Sequence, residues 1–204
     1  MNQQVATVAG APVGIDEVDA REARLRGGPH AATLPSEGTS EGRQLRRWLT
    51  QLIVTERVVA VEADARGLSA SGAPTEEELL PDVTARLEIG SVAAAALTDP
   101  RARALFVDVV AGVRVPDVDV ADYHRRNPLR FAPTRPAAHG WRAAAAVGPP
   151  LEEVRDAVAG HLRDAARRRA FRVWLDARRA DLVRLVPGYE HPGDPRQPDN
   201  THRH

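Results

Sequence analysis

Apolar residues recur at three- and four-residue steps along residues 41–68, which is the spacing of one face of an α-helix. The stripe consists of Leu45, Trp48, Leu49, Leu52, Ile53, Val59 and Ala63. Val54, Val58 and Val61 widen it, so we expect this helix to be buried on more than one side. Gly67 follows the last apolar positions and predicts the end of the helix.

A second long stripe of apolar residues runs along residues 151–186. Its members are Val154, Val158, Leu162, Ala165, Ala166, Phe171, Trp174, Leu175 and Leu182. The spacing predicts a long amphipathic C-terminal helix that completes the core and is closed by Gly188.

Shorter elements precede and separate the two long helices. Residues Val5–Val8 are β-like, and Asp16 is the predicted N-cap of a helix that follows them. Thr75 and Glu78 have the spacing of a capping box, and Asp117 or Asp119 would cap another short helix. We therefore predict an all-α, mainly helical fold with a short N-terminal β segment.

Stretches rich in glycine and proline suggest how the chain is divided. We predict a helical domain over residues 1–131 and a linker over residues 132–150. Residues 151–186 form the C-terminal helix of the same domain, and residues 187–204 form a Pro/His-rich tail. A chain of 204 residues is long enough to bury one sizeable core.

Composition narrows the function classes. The 28 basic residues, all of them arginine, balance the 28 acidic residues, so a general nucleic-acid binder is not expected. The absence of cysteine excludes disulfides and thiolate metal sites. The sequence has no secretory signal pattern and no long apolar run, so we expect a cytoplasmic protein that does not enter the membrane.

The tail carries the first candidate site. His202 and His204 would lie on one face of an extended segment, and with His191 and Asp199 they would supply ligands for a divalent transition metal. The alternative is a polar terminus without a ligand, since termini of this composition are usually mobile.

Tyr123 and His124 carry the second candidate site, together with Asp122. A histidine–carboxylate pair can act as general acid and base, so Asp122 and His124 are the candidate catalytic residues. The alternative is a helix surface with ordinary ion pairs.

Arginines of the C-terminal helix carry the third candidate site. Arg168 and Arg172 would bind an acidic partner through bidentate contacts, unless they belong to a solvated face of alternating charges. Trp48, Trp141 and Trp174 are candidate groove or core residues. The sequence contains no nucleophile elbow, GxGxxG or P-loop pattern, so enzymatic activity is left open.

Four segments, in this order, resemble the SurA/PrsA-type chaperones that carry parvulin domains. VATVAGAPVGIDEVDARE is similar to their opening strand and turn, with Ala9 where that family has asparagine. LRRWLTQLIVTERVVAVEADARGLSASGAPTEEEL resembles their long helix and the capped helix after it. VRVPDVDVADYHRRNPLRF resembles the stretch that leads into the parvulin domain, and LEEVRDAVAGHLRDAARRRAFRVWLDARRADL resembles the helix that returns from it.

The resemblance implies a SurA-like helical module that binds a hydrophobic peptide or a partner protein. Residues 132–150 are too few to form a parvulin domain, so prolyl isomerase activity is not expected. Long apolar stripes favour a homodimer. The alternative is a metal- or small-molecule-binding protein or enzyme that uses the His-rich tail, since the chain also resembles small actinobacterial proteins found near polyketide biosynthesis genes.

Overall fold

The chain begins with a β-hairpin. Strand β1 (Gln4–Val8) pairs antiparallel with β2 (Ala11–Gly14). The turn between them is Ala9–Gly10, whose φ angles of 49° and 82° are the positive values that a two-residue hairpin turn requires. The computed structural model describes residues 3–29, 31–132 and 148–194.

The described residues are mainly helical. They contain 8 helices and one small sheet, which confirms the prediction of a mainly helical fold with a short N-terminal β segment. The helices are α1 (Ile15–Arg26), α2 (Ser40–Ala65), α3 (Glu76–Leu79), α4 (Val83–Ile89), α5 (Ser91–Ala96), α6 (Pro100–Val110), α7 (Asp117–Arg126) and α8 (Leu151–Leu182), with a 3-10 turn at Ala31–Thr33.

Helix starts follow the local sequence except at α1 and α7. The predicted cap at Asp117 or Asp119 is wrong, because Pro116 is the N-cap residue of α7 and α7 has no side-chain cap hydrogen bond. Thr75 and Glu78 form the predicted capping box, in which each side chain accepts from the backbone N–H of the other residue. The predicted cap at Asp16 is wrong, because β2 runs directly into α1. Gly14 is the cap residue, and its N–H donates to Glu17 Oε1 at 3.0 Å.

Helix α2 lies at the centre of the fold. It packs against α1, α5, α6, α8 and β1, and every residue from Leu49 to Thr55 is buried. This confirms burial on more than one side. Val61, predicted to widen the buried stripe, is instead 36% exposed.

The C-terminal helix ends at Leu182, earlier than the predicted end at residue 186. Strand β3 (Val183–Leu185) follows and pairs antiparallel with β1, which gives the sheet order β2-β1-β3. Val183 and Leu185 pack against the core while Arg184 is exposed. This period-two alternation, and the unpaired edge of β1, stabilise a strand here over a further helical turn.

The start of the predicted tail is attached to α2. Arg47 Nε donates to the Gly188 carbonyl at 3.1 Å, and Gln51 Nε2 donates to the Tyr189 carbonyl at 2.7 Å. The backbone N–H of Val186 donates to the Val5 carbonyl at 2.9 Å. The chain therefore stays part of the folded body after β3.

The predicted linker falls largely outside the described residues, which exclude 133–147. Its described C-terminal end lies against the end of α7, since the backbone of Gly148 approaches the Pro128 carbonyl closely and His124 contacts the Pro149 carbonyl. In the described parts of the chain, no helix is long and apolar enough to cross a bilayer.

Two helical glycines provide a matched test of this packing. A Cβ at Gly42 in α2 would lie 2.4 Å from the Ser36 carbonyl oxygen, whereas a Cβ at Gly160 in α8 would meet nothing within 4 Å. We expect Gly42→Ala to lower the free energy of unfolding by about 1–3 kcal/mol, because the clash is with backbone. Gly160→Ala should raise it by about 0.5–1 kcal/mol. Urea titration of both variants measures this, and equal effects would contradict the described approach of the loop to α2.

Candidate functional site

An open groove of about 680 Å³ lies between α1, α2 and α5. We call it the α1–α2–α5 groove. Its apolar lining consists of Leu25, Trp48, Leu49, Leu52, Ala95 and Ala96. Trp48, on the apolar stripe of α2, is only partly covered by the neighbouring helices, whereas Leu49 and Leu52 beside it are buried.

Helix position explains the shape of the α1–α2–α5 groove. Leu25 lies in the last turn of α1 and is 38% exposed, so it borders the opening. Trp48 and Leu52 are one turn apart on α2 and form the floor. The small side chains of Ala95 and Ala96 keep the α5 side open. Trp48 Nε1 donates to Ser91 Oγ at 3.3 Å, which orients the indole ring.

Some charged side chains on the rim of this groove have partners within the protein and one does not. Arg21 forms an ion pair with Glu56. The Asp99 side chain accepts from the backbone N–H of Arg101 at 2.8 Å. Arg24 also lines the groove, and no described carboxylate lies within ion-pair distance of it. The rim therefore offers one cation to an incoming ligand.

A buried carboxylate fixes α1 against α2 and so holds this groove in place. Glu22 is 5% exposed and accepts from Arg26 at 2.6 Å and from Arg46 at 2.6 Å. Burial favours a raised pKa, but the hydrogen bonds from both guanidinium groups outweigh it and hold the pKa of Glu22 below its ordinary value. Arg26 also donates to the Pro35 carbonyl at 2.9 Å, which attaches the following loop.

A polar aromatic cluster joins α7 to α8. Tyr123 Oη lies 3.0 Å from His161 Nε2, and the Phe131 ring is 6.0 Å from the imidazole, centre to centre. Burial, then the charge of Arg130, lowers the pKa of His161. Sequence reasoning missed His161, although it lies three residues after Val158 on the inward face of α8.

The two candidate catalytic residues are not brought together. Asp122 accepts from Arg125 at 2.9 Å. His124 Nε2 lies 2.9 Å from the Pro149 carbonyl, so it carries the proton and donates. Asp122 and His124 therefore face different partners in the structure.

The candidate binding residues of α8 have contacts inside the protein. Arg168 is buried, with its side chain 8% exposed, and its Nε donates to Glu88 Oε2 at 2.7 Å. Arg172 donates to the Glu88 carbonyl at 3.2 Å, near the end of α4. Trp174 packs on Phe171 with ring centres 5.5 Å apart. Trp141 lies outside the described residues.

Of the predicted metal ligands, the structure describes His191 alone, and Asp199, His202 and His204 lie outside the described residues. His191 Nδ1 accepts from the backbone N–H of Gly193 at 3.0 Å, so in the neutral ring Nε2 carries the proton and is a donor rather than a metal ligand. Burial, then the charge of Arg179, lowers the pKa of His191. Within residues 3–29, 31–132 and 148–194, no group of His, Asp and Glu is placed to hold a metal ion.

Comparison with known proteins gives one match. Residues 4–41 are similar to a family of unknown function, DUF7158. The matched stretch comprises β1, β2, α1, the 3-10 turn and the first residues of α2, so it includes Arg24 and Leu25 of the α1–α2–α5 groove. No curated protein and no solved structure matches the chain.

The environment of His161 predicts a pH dependence of stability. Because the folded pKa is lowered, the unfolded chain takes up this proton at a higher pH than the folded chain does. The stability that neutral His161 contributes is fully present above its ordinary pKa of about 6.5 and is lost as the pH falls toward its folded pKa. We expect His161→Gln, which stays neutral and can still bond Tyr123, to reduce this loss.

Urea titrations of the unmodified protein and of His161→Gln at several pH values measure this loss of stability. An NMR titration measures the pKa of the imidazole. Two observations would contradict the description of this cluster: a His161 pKa at or above its ordinary value, or an unchanged pH dependence in the variant.

Proposed function

We propose that this protein is a chaperone-like peptide-binding module that holds an apolar segment of a partner polypeptide in the α1–α2–α5 groove. The observation that carries the proposal is the groove itself, which combines an apolar floor with a tryptophan on the most central helix. Burying apolar side chains of a ligand against such a floor stabilises a complex by roughly 25 cal/mol per Å² of apolar surface before the entropic costs of association.

The charges on the rim of the groove indicate which polypeptide segments would bind best. Arg24 stands beside the apolar lining without an ion-pair partner among the described residues, whereas Arg21 on the same helix has Glu56. An acidic residue next to the apolar residues of the ligand would complement Arg24. The proposed ligand is therefore an unfolded polypeptide segment of apolar residues with a flanking carboxylate.

The order of the elements supports the proposed likeness to SurA/PrsA-type chaperones. An N-terminal strand, a long central helix, short helices and a returning C-terminal helix follow one another as in the resemblance. The C-terminal end of the 132–150 stretch lies against Pro128 and His124 at the end of α7, which fits a short connection where that family carries its parvulin domain. We propose binding without prolyl isomerase activity.

The alternative, a metal- or small-molecule-binding protein or enzyme of secondary metabolism that uses the His-rich tail, stays a prediction, as do the homodimer and the location in the cytoplasm. A truncation after Asp194 tests the metal version better than one at Gly188. It removes Asp199, His202 and His204 but keeps the contacts of Gly188 and Tyr189 with α2.

Leu25 and Leu87 provide a matched test of the groove. Both are exposed leucines on helices, but Leu25 lines the groove, while Leu87, at 74% exposed, lies on α4 outside it. An unpaired polar group in an apolar site costs about 1–3 kcal/mol and a charge costs more, so Leu25→Asp should weaken binding of a labelled apolar peptide at least about five-fold. Leu87→Asp should leave the affinity unchanged.

Fluorescence anisotropy measures the affinity, and suppression of aggregation of an unfolded client at near-stoichiometric ratio measures the activity. Absence of suppression by the unmodified protein would overturn the proposed function. Equal losses in both variants would remove the binding from this groove.

Arg24→Glu tests the charge preference of the groove. The unmodified protein should bind an apolar peptide with an acidic flank about two- to five-fold more tightly than the same peptide with a basic flank, as expected for an exposed ion pair. The variant should reverse this order. The same anisotropy measurement at low and high salt checks it, and an order that does not change with the variant would show that Arg24 does not contact the ligand.

A further inference from the structure

A second groove, of about 240 Å³, lies where the C-terminal half of α8 faces the junction of α4 and α5. We call it the Arg179 groove. Its apolar wall consists of Ile89, Val92, Ala93 and Leu175, and its charged and polar lining includes Arg172, Asp176, Arg179 and His191. It shares no lining residue with the α1–α2–α5 groove.

Arg179 is a half-buried cation whose described partner is neutral. Its guanidinium donates to the side-chain oxygen of Gln51, and no described carboxylate lies within ion-pair distance of it. Burial lowers the pKa of Arg179, and Asp176 offsets this only in part. A half-buried charge that makes no direct ion pair is unfavourable, and a bound anion would relieve it.

Neighbouring arginines on α8 show the contrast. Arg168 and Arg178 also turn toward the body, and each has a carboxylate partner, Glu88 at 2.7 Å and Glu62 at 2.7 Å. At these positions the chain supplies its own anion. At Arg179, on the same helix, the described hydrogen-bond partner is the neutral side-chain amide of Gln51.

Three further donors converge on the same groove. Arg172 Nη1 donates to the Glu88 carbonyl, which leaves the other guanidinium nitrogens for a ligand. The Ser91 hydroxyl accepts from Trp48, which leaves its proton for a ligand. His191 has Nε2 open, since its Nδ1 accepts from the Gly193 backbone. Guanidinium, hydroxyl and imidazole groups together form a donor set suited to a carboxylate.

We propose that the Arg179 groove binds a carboxylate carried on a small apolar body, with the carboxylate on Arg179, Arg172 and His191 and the body against the apolar wall. This carboxylate could come from a free organic acid or from the C-terminus of a peptide. Two arginines outnumber Asp176, the carboxylate of the lining, and so disfavour a metal cation. The apolar wall disfavours an inorganic anion, which has no apolar surface to bury there. The site is independent of the proposed peptide-binding function.

Protonation of His191 should strengthen the binding. The charged groups that face it are Arg179 and Arg172 from α8, with Asp176 and Asp194 opposing them. Since the pKa of His191 is lowered in the free protein, affinity should rise as the pH falls from about 6.5 through that pKa. A bound anion should in turn raise the His191 pKa.

Calorimetric titration of the full chain with three matched probes tests the proposal. Hexanoate should bind saturably, while hexanol, which lacks the charge, and acetate, which lacks the body, should bind at least ten-fold more weakly. A second arm compares a short peptide ending in leucine with its C-terminal amide. Tighter binding of hexanoate than of the free peptide identifies a free acid as the ligand. Tighter binding of the free peptide than of hexanoate identifies a polypeptide C-terminus. Either result supports the site, and failure of both arms overturns it.

Substitutions locate the binding. Arg179→Gln should weaken it ten-fold or more. Because Arg179 also bonds Gln51, Arg172→Gln and His191→Gln serve as a second pair that leaves that bond intact, and each should weaken binding several-fold. Arg169→Gln is the control, since Arg169 is an exposed arginine of α8 outside the groove. Equal affinity in all four variants would overturn the proposal, whatever the outcome for the α1–α2–α5 groove.

Discussion

The fold depends on the burial of the middle of α2, where every side chain from Leu49 to Thr55 is removed from water. A helix buried all round needs cover on all sides, so α1, α5, α6, α8 and β1 pack around it. Of its three polar members, Thr50 and Gln51 have hydrogen-bond partners, while the hydroxyl of Thr55 has none among the described residues. Thr50 donates to the Arg46 carbonyl, and Gln51 bonds Tyr189 and Arg179, so the central helix also fixes the chain that follows β3.

Both grooves are consequences of this arrangement. α5 is short and rich in alanine, so Trp48 of α2 stays partly exposed at the floor of the α1–α2–α5 groove, beside the buried Leu52. The bond from Arg179 to Gln51 holds that guanidinium beside α2 rather than in solvent. The same helix thus presents an apolar surface on one side and, through its buried amide, positions a cation on the other.

Much of the fold follows from local patterns. The two long helices, the capping box at Thr75 and the β-like start are visible in the sequence because each depends on nearby residues. Strand β3 was missed because its pairing with β1 joins opposite ends of the chain, and a helical stripe runs up to it without a break. His161 was missed for the same reason, since its partner Tyr123 is remote in sequence. Of the candidate binding residues, Trp48 lies in the α1–α2–α5 groove, Arg172 in the Arg179 groove, and Arg168 and Trp174 contact the body.

Site-directed photo-crosslinking tests the central claim most directly. The chain contains no cysteine, so a single cysteine introduced in place of Leu25 or Leu87 can carry a photoreactive group without competing thiols. We expect the label at position 25 to capture an apolar peptide with an acidic flank, in competition with the unlabelled peptide, and the label at position 87 to capture none. Equal capture at both positions, or capture at position 87 alone, would contradict a peptide site in the α1–α2–α5 groove.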